Sequence, residues 1–280
     1  RGQLDQNRFE KVLEELVNRH EALRTSFIIK EGVPVQKIDA KVDFQVNHHQ
    51  LTDLEEIRIS DFIRPFDLSQ APLFRVEWIE LSDKNILLFD LHHIIADGVS
   101  MGILINDFIG LYQGQQLPPL RVQYKDFADW QNKLFESQWL DEQKAYWLEQ
   151  FKGEIPVLDL PTDYHRPEEV DFRGNQVKFE LSSGLTKKLK EVMKAEGVTL
   201  YMILLAAYNV LLSKYTNGQD IIVGSPIAGR SHSDLETVIG MFANTLAMRN
   251  YPTNDKSFQQ FLAEVKERAL QAYQHQYYQF

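Results

Sequence analysis

Two adjacent histidines, followed by an aspartate and a glycine, are the part of the sequence best suited to chemistry. His92 and His93 end the apolar run 86–91, and Asp97 and Gly98 precede a predicted helix. Histidine is suited to proton transfer near neutral pH because its unperturbed pKa is about 6.5. Help from a general base is worth about 10² to 10⁴ in rate. The pattern alone leaves a catalytic and a purely structural role open.

The order of these residues suggests separate roles. Neighbouring strand residues point to opposite faces, so one histidine is predicted to enter the interior and the other the cleft, which argues against a shared metal. Asp97 could orient the His93 ring or pair with an arginine. Gly98 offers an unusual backbone angle or close approach of a ligand. The N–H groups at Gly98 and at the start of the helix could face a developing oxyanion.

Composition excludes several classes of protein. The chain has 280 residues, of which 44% are hydrophobic and 25% charged, so it is predicted to be globular. Its net charge of −10 makes nucleic acid and anionic membranes poor partners. The absence of cysteine excludes a disulfide framework, a thiol nucleophile and a cysteine-ligated zinc site. The longest apolar run, 200–212, is too short to span a bilayer. A cytoplasmic location is expected.

The elements that must position the histidines predict an α/β fold. A central strand buried on both faces is expected over 86–91, because these residues are almost continuously apolar. A helix over 99–112 should follow it and stop near Gly114. Before them, the periodicity predicts a helix over 4–18, a hairpin over 24–38 with its turn at Glu31 and Gly32, and strands at 42–46 and 74–78.

The second half of the chain repeats this mixed pattern. Residues 124–151 are predicted to be helical with packed aromatic side chains, and the proline-rich residues 152–171 to be a linker. After it come a strand over 176–181, a helix over 185–195 ended by Gly197, a helix capped by Thr199, a strand over 220–223 and a last helix with a capping box at Ser257 and Gln260. We therefore predict an N-terminal lobe over 1–151, a crossing linker over 152–171 and part of a C-terminal lobe over 172–280. The first residue is not methionine, so a fragment of a longer polypeptide is expected.

Five separated motifs, in order, resemble those of the condensation domain of nonribosomal peptide synthetases. RHEALRTSF at 19–27 resembles RHExLRTxF, and HHIIADG at 92–98 resembles HHxxxDG. YKDFADW at 124–130 resembles YxDFAxW. IGMFANT at 239–245, with an arginine at 249, resembles IGxFVNTxxxR, and HQYY at 275–278 partly resembles HQDYPFE. The resemblance covers nearly the whole chain. The departures are Ala96, Ala243, Tyr277 and Gln279, which replace a common serine, valine, aspartate and proline.

The resemblance implies two chloramphenicol-acetyltransferase-like lobes in a V-shaped pseudo-dimer, here truncated at both ends, with the active site in a tunnel at their junction. It implies an acyltransferase-type enzyme that forms an amide bond between two carrier-bound substrates. The upstream donor and downstream acceptor carrier domains would deliver phosphopantetheine arms, and an adenylation domain would be a neighbour. The chain itself is expected to bind no cofactor and no metal.

The family's site residues can be carried over one by one. His93 matches the catalytic histidine, and His92 matches a mostly structural one. Asp97 matches an aspartate held by an arginine salt bridge, and Gly98 a glycine near the donor thioester. Arg249 is the first choice for the salt-bridge partner, followed by Arg24 and Arg19. Asn244 is a further supporting residue.

Three alternatives stay open. An epimerisation domain carries the same HHxxxDG motif, but the motif at 239–245 favours condensation. A non-catalytic, condensation-like module would recruit a tailoring enzyme, and an intact His93 speaks against it. A free acyltransferase using coenzyme A is a weaker choice. Within condensation domains, HHIIADGVS most resembles the subtype that joins an L-aminoacyl donor to an L-aminoacyl acceptor.

Overall fold

The chain folds into two compact units, each built from two separate stretches of sequence. The structure is a computed structural model that describes residues 4–165, 167–169 and 174–279. Of the described residues, the first unit contains 4–136 and 228–243, and the second contains those of 137–227 and 244–279. These units do not follow the lobe boundaries at 151 and 172, which stay a prediction.

The first unit packs helices against a small mixed sheet. Strand β4 lies in the centre of this sheet, parallel to β3 on one side and antiparallel to β5 on the other, and β1 and β2 form a separate antiparallel hairpin. The elements are α1 (Gln6–Arg19), β1 (Thr25–Lys30), β2 (Val33–Ile38), β3 (Asn47–Gln50), α2 (Ile59–Phe62), β4 (Phe74–Glu80), β5 (Asn85–Leu91), α3 (Gly98–Tyr112) and α4 (Tyr124–Phe135).

Local sequence signals explain α1 and the hairpin, and both predictions are confirmed. Asp5 caps α1 by accepting a hydrogen bond from the Arg8 N–H at 2.9 Å. Glu31 and Gly32 have φ of 53° and 81°, which turns β1 into β2. One face of α1 is buried, and each large apolar side chain on it contributes about 1.5–3 kcal/mol. The buried residues are Phe9, Val12, Leu13, Leu16 and Val17.

Two strand predictions in this unit are wrong. Residues 42–46 form no strand, and β3 begins only at Asn47. Phe44 is nevertheless packed against the core and stacks on Phe74 at 4.5 Å, so the apolar alternation reflects side-chain packing without backbone pairing. Strand β5 lies at the edge of the described sheet and is half-buried, whereas β4 occupies the centre.

The second unit packs helices against a two-stranded antiparallel sheet. Strands β6 and β7 pair antiparallel from Ile221↔Asn250 to Ile227↔Asn244. One face of α7 is buried in the core, while Leu204, Tyr208 and Leu211 on other faces stay about half exposed. The elements are α5 (Trp139–Gln150), α6 (Ser183–Glu196), α7 (Leu200–Thr216), β6 (Ile221–Ile227), β7 (Asn244–Asn250) and α8 (Phe258–Gln274).

The predicted helix ends of this unit are confirmed. Gly197 ends α6 with a φ of 60°, and Thr199 caps α7 by accepting a hydrogen bond from the Met202 N–H. Ser257 and Gln260 form the capping box of α8. These signals are local in sequence, which is why the pattern could predict them.

The strand predicted over 176–181 is wrong. These residues form no strand, and Val177 and Phe179 are 92% and 80% exposed. A strand needs a neighbour for its backbone N–H and C=O groups, and the described part of the chain supplies none here. The described residues of the predicted linker have no helix or strand; residues 166, 170 and 171 lie outside the description.

No single helix in the described ranges is both long and apolar enough to cross a membrane. Only α6 and α7 taken together reach that length and composition, and they meet at a bend of 104°.

Candidate active site

His92 is fixed in place by its own loop. Its backbone N–H donates to the Leu73 carbonyl at 3.0 Å, which extends the ladder between β4 and β5 by one step. Its ring Nδ1 accepts a hydrogen bond from the Ile94 N–H at 3.1 Å. The neutral ring therefore carries its proton on Nε2. This half-buried, bonded ring suits a structural role.

An aromatic ring and an arginine support His92 from the side. The Phe66 ring meets the His92 ring edge to face, with centroids 6.0 Å apart. The Arg75 guanidinium lies 3.6 Å from the centre of the Phe66 ring and donates to the carbonyls of Arg64 and Pro65. Arg75 also pairs with Asp90 at 2.7 Å. Neither Phe66 nor Arg75 is predicted from the sequence.

His93 differs from His92 in its exposure and in its hydrogen bonds. It is exposed, and within the described residues its ring has no hydrogen-bond partner. Neither imidazole nitrogen is therefore used by the described part of the chain. Strand β5 ends at Leu91, and His93 lies in the turn after it, where the Ile95 N–H donates to the His92 carbonyl at 3.1 Å.

Asp97 is the most heavily bonded residue of the loop. Its Oδ1 accepts the Ser100 N–H at 2.8 Å, which makes Asp97 the N-cap of α3. Arg230 forms a bidentate pair with it, with Nη1–Oδ2 at 2.6 Å and Nη2–Oδ1 at 3.0 Å. The Phe242 N–H also donates to Oδ2, at 3.1 Å. The side chains of Asp97 and Arg230 are only 2% and 4% exposed, so the charges are buried as a pair.

These contacts set the charge state of Asp97. Burial by itself raises the pKa of a carboxyl, but here the hydrogen bonds from Arg230 and Ser100 outweigh it, and the pKa of Asp97 lies below its ordinary value. The carboxylate is therefore ionised at neutral pH.

The predicted partners of Asp97 are wrong. Arg249 lies in the second unit and pairs with Asp220 at 2.6 Å. Arg19 pairs with Asp107 at 2.9 Å, and Arg24 donates to backbone carbonyls. Each of these three arginines is therefore bonded to other groups near it. The prediction of the Asp97 partner failed for this reason.

Arg230 is the partner of Asp97 that the sequence pattern did not predict. It directly follows Gly229, which ends the sequence GSPIAG at 224–229. Gly229 has a φ of 64°, and a Cβ there would overlap the Phe242 carbonyl. The sequence shows only an arginine that follows a glycine, and this does not distinguish Arg230 from the other arginines.

The segment Ala228–Ala243 is held by the YxDFAxW helix as well. The Tyr124 hydroxyl donates to the Met241 carbonyl at 2.8 Å, and its ring lies against Gly240. Phe127 and Phe242 pack with ring centroids 4.7 Å apart. Burial raises the pKa of Tyr124, and the negative charge of Asp97 raises it further, so the phenol stays protonated.

Gly98 does not adopt the unusual backbone angle considered for it. Its φ is not positive, and a Cβ there would meet nothing within 4 Å. Close approach of a ligand to Gly98 stays a prediction. The N–H groups of Gly98 and Val99 make no hydrogen bond within the described part of the chain, so the first turn of α3 keeps two free donors.

Asn244 lies at the start of β7 in the second unit. Its Nδ2 donates to the Gln276 carbonyl at 3.0 Å, and its Oδ1 accepts the Thr245 N–H. His275 stacks on Tyr146 at 4.0 Å, and its carbonyl accepts the Trp147 indole N–H. The last two motifs therefore share a packed region with α5.

The described residues contain no group of three or more histidine, aspartate or glutamate side chains that could hold a metal ion. The absence of a bound cofactor stays a prediction.

The site and fold define a class of protein. The sequence matches the family described as Condensation domain over residues 1–280. The chain therefore belongs to this family, and its resemblance to the condensation domains of nonribosomal peptide synthetases is confirmed.

Two curated relatives share about half of their aligned residues with the chain. It is 51% identical over 283 residues to bacitracin synthase 3 of Bacillus licheniformis, covering 100% of this chain and 4% of that protein. It is 52% identical over 282 residues to gramicidin S synthase 2 of Aneurinibacillus migulanus, covering 100% and 6%. The chain thus spans only a small share of these relatives.

Solved structures confirm the α/β fold class. The X-domain from teicoplanin biosynthesis is 28% identical with a TM-score of 0.89, covering 100% of this chain and 65% of that one. The four-domain nonribosomal peptide synthetase AB3403 is 27% identical with a TM-score of 0.84, covering 100% and 22%.

Proposed function

We propose that this chain forms an amide bond between two substrates held on carrier domains. The amine of the acceptor attacks the thioester carbonyl of the donor. A C–N bond forms, the C–S bond breaks, and the proton lost by the amine ends on the released thiol. The chain's own residues would move that proton and stabilise the oxyanion. The donor and acceptor would be phosphopantetheine-bound, with an adenylation domain as a neighbour and no cofactor held by the chain itself.

The observation that carries the proposal is the contrast between His93 and its surroundings. His92 uses its Nδ1 within the loop, whereas the exposed His93 ring keeps both nitrogens free. The loop is fastened before it by His92 and after it by Asp97. A free imidazole on a fixed loop can take a proton from a positioned amine, and ordering the groups beforehand lowers the entropic part of the barrier.

The first turn of α3 supplies a second chemical feature. The free N–H groups of Gly98 and Val99 are donors of the kind that stabilise a developing oxyanion. The Asp97 carboxylate caps the same turn, but Arg230 neutralises its charge, so it does not cancel the positive end of the helix.

Single-turnover assays with loaded carrier domains test this proposal in the full-length protein. His93→Ala should lower the rate of amide formation by at least about 10², the lower end of general acid–base help. The matched control is His232→Ala, another exposed histidine of the first unit, which should stay within about twofold of the unchanged protein. A His93→Ala variant as fast as this control would refute the assignment.

A second candidate function is a module that recruits another enzyme. It is favoured by the similarity of the chain to the teicoplanin X-domain. A structure of that domain in complex with OxyB is also 28% identical to this chain. Mass spectrometry of the carrier-bound products separates the candidates. An amide supports condensation, an epimer would indicate the epimerisation alternative, and an unchanged substrate would favour recruitment. The donor subtype, L-aminoacyl to L-aminoacyl, is tested by offering D and L donors in the same assay.

A further inference from the structure

Ser100 lies at the centre of the contacts between the histidine loop and the segment Ala228–Ala243. It is 1% exposed. Its Oγ is 2.8 Å from Asp97 Oδ1 and 2.9 Å from the Gly240 carbonyl oxygen, and it accepts hydrogen bonds from Arg230 Nη2 at 3.0 Å and from the Gly240 N–H at 3.1 Å. Four polar contacts thus converge on one hydroxyl.

The hydroxyl is used to its full capacity. A serine hydroxyl has one proton and two lone pairs. Arg230 and Gly240 occupy the lone pairs, and the single proton goes to Asp97 or to the Gly240 carbonyl. The ionised carboxylate is the stronger acceptor and also the nearer one, so the proton favours Asp97.

Among the described residues, only the Ser100 side chain bonds both the motif aspartate and the backbone of residue 240. Asp97 itself contacts Arg230 and Phe242, but it makes no bond to Gly240. Ser100 therefore joins the start of α3 to Gly240, which lies 140 residues further along the chain. The hydroxyl is buried and fully bonded, so its effect passes through the groups it bonds.

We infer that Ser100 is a positioning residue, whose hydroxyl fastens the segment Ala228–Ala243 to the loop that carries His93. This inference rests on the proposed function for its kinetic consequence, but its structural part can be tested alone. Loss of the hydroxyl leaves the Gly240 N–H without a partner and frees Arg230 Nη2 from one acceptor. The loop would then sample positions in which His93 is misaligned with the reacting amine.

The kinetic test uses Ser100→Ala with Ser26→Ala as the control in the full-length protein. Ser26 is a fully buried serine of the same unit, and its hydroxyl makes one long bond of 3.5 Å to the Lys37 carbonyl. Ser100→Ala should lower the single-turnover rate at saturating carrier by about 10-fold or more, without changing the carrier concentration that gives half the maximal rate. A rate within twofold of Ser26→Ala would overturn the inference.

Amide hydrogen exchange tests the fastening independently of catalysis. In the unchanged protein the Gly240 N–H should exchange slowly, and Ser100→Ala should speed its exchange at least about 10-fold relative to Ser26→Ala. Rapid exchange at Gly240 in the unchanged protein would overturn the inference, even if Ser100→Ala did not fold. If His93→Ala proved fully active while Gly240 exchange still responded to Ser100→Ala, the proposed function would fail and the fastening would stand.

Discussion

Asp97 and Arg230 form a bidentate ion pair although 133 residues separate them in the sequence. The pair joins the N-cap of α3 to the segment Ala228–Ala243, and the Phe242 ring covers the guanidinium at 4.2 Å. Both charges are almost fully shielded from water, so each depends on the other for compensation. The geometry of the histidine loop therefore depends on a residue far from the motif.

Removing one member of this pair should destabilise the fold. Arg230→Ala leaves a buried carboxylate without its counter-charge, and such losses cost about 3–5 kcal/mol. The matched control is Arg121→Ala, because Arg121 pairs with Asp234 at 3.2 Å but is 80% exposed. It should cost less than about 1 kcal/mol. Urea unfolding of both variants checks this, and equal losses would contradict the assignment.

His20 predicts a loss of stability in weak acid. It is 1% exposed, and burial lowers its pKa although Asp107, at 2.9 Å from Nε2, acts in the opposite direction. Nδ1 has no partner in the described residues, which suits the neutral ring. The unfolded histidine binds a proton below about pH 6.5 while the folded one stays neutral. The contribution of His20 to the free energy of unfolding is therefore fully present above about pH 6.5. It is lost as the pH decreases toward the pKa of the folded state.

The measurement for His20 is the free energy of unfolding between pH 7.5 and 5. The slope due to this one group is at most about 1.4 kcal/mol per pH unit. His20→Gln should remove that slope, whereas His232→Gln, whose side chain is 69% exposed, should keep it. An unchanged slope in His20→Gln would contradict the prediction.

Features encoded within a few residues could be predicted, and features that depend on distant partners could not. Helix α1, the turn at Glu31 and the capping box at Ser257 follow from local periodicity and turn chemistry. The strand expected over 176–181 failed because strand pairing is supplied by other parts of a fold. The need of Asp97 for an arginine was predictable from the cost of a buried charge, but nothing in the spacing selects Arg230 over Arg249.

Gly240 should resist substitution because of Tyr124. A Cβ at Gly240 would overlap the Tyr124 ring, so Gly240→Ala should cost about 1–3 kcal/mol, as overpacking does. Gly102→Ala is the control, because a Cβ at Gly102 would meet nothing within 4 Å. Alanine in place of glycine within α3 should raise the free energy of unfolding by at most about 1 kcal/mol. Thermal unfolding with the double variant Gly240→Ala, Tyr124→Ala measures the coupling. Strict additivity of the two single effects would contradict the proposed clash.

Phe66 is predicted to support the histidine loop at its start, through the ring of His92. Phe66→Leu keeps an apolar side chain but removes the flat ring between the Arg75 guanidinium and the His92 ring. The stability loss should stay below about 1.5 kcal/mol, while the single-turnover rate should fall about 10-fold because His92 no longer holds the loop in one position. The control is Phe108→Leu, which loses ring contacts to Phe9 and Tyr112 elsewhere in the same unit. It should lower stability but leave the rate of the folded protein unchanged. Equal rates for the two variants would show that the Phe66 ring does not support His92.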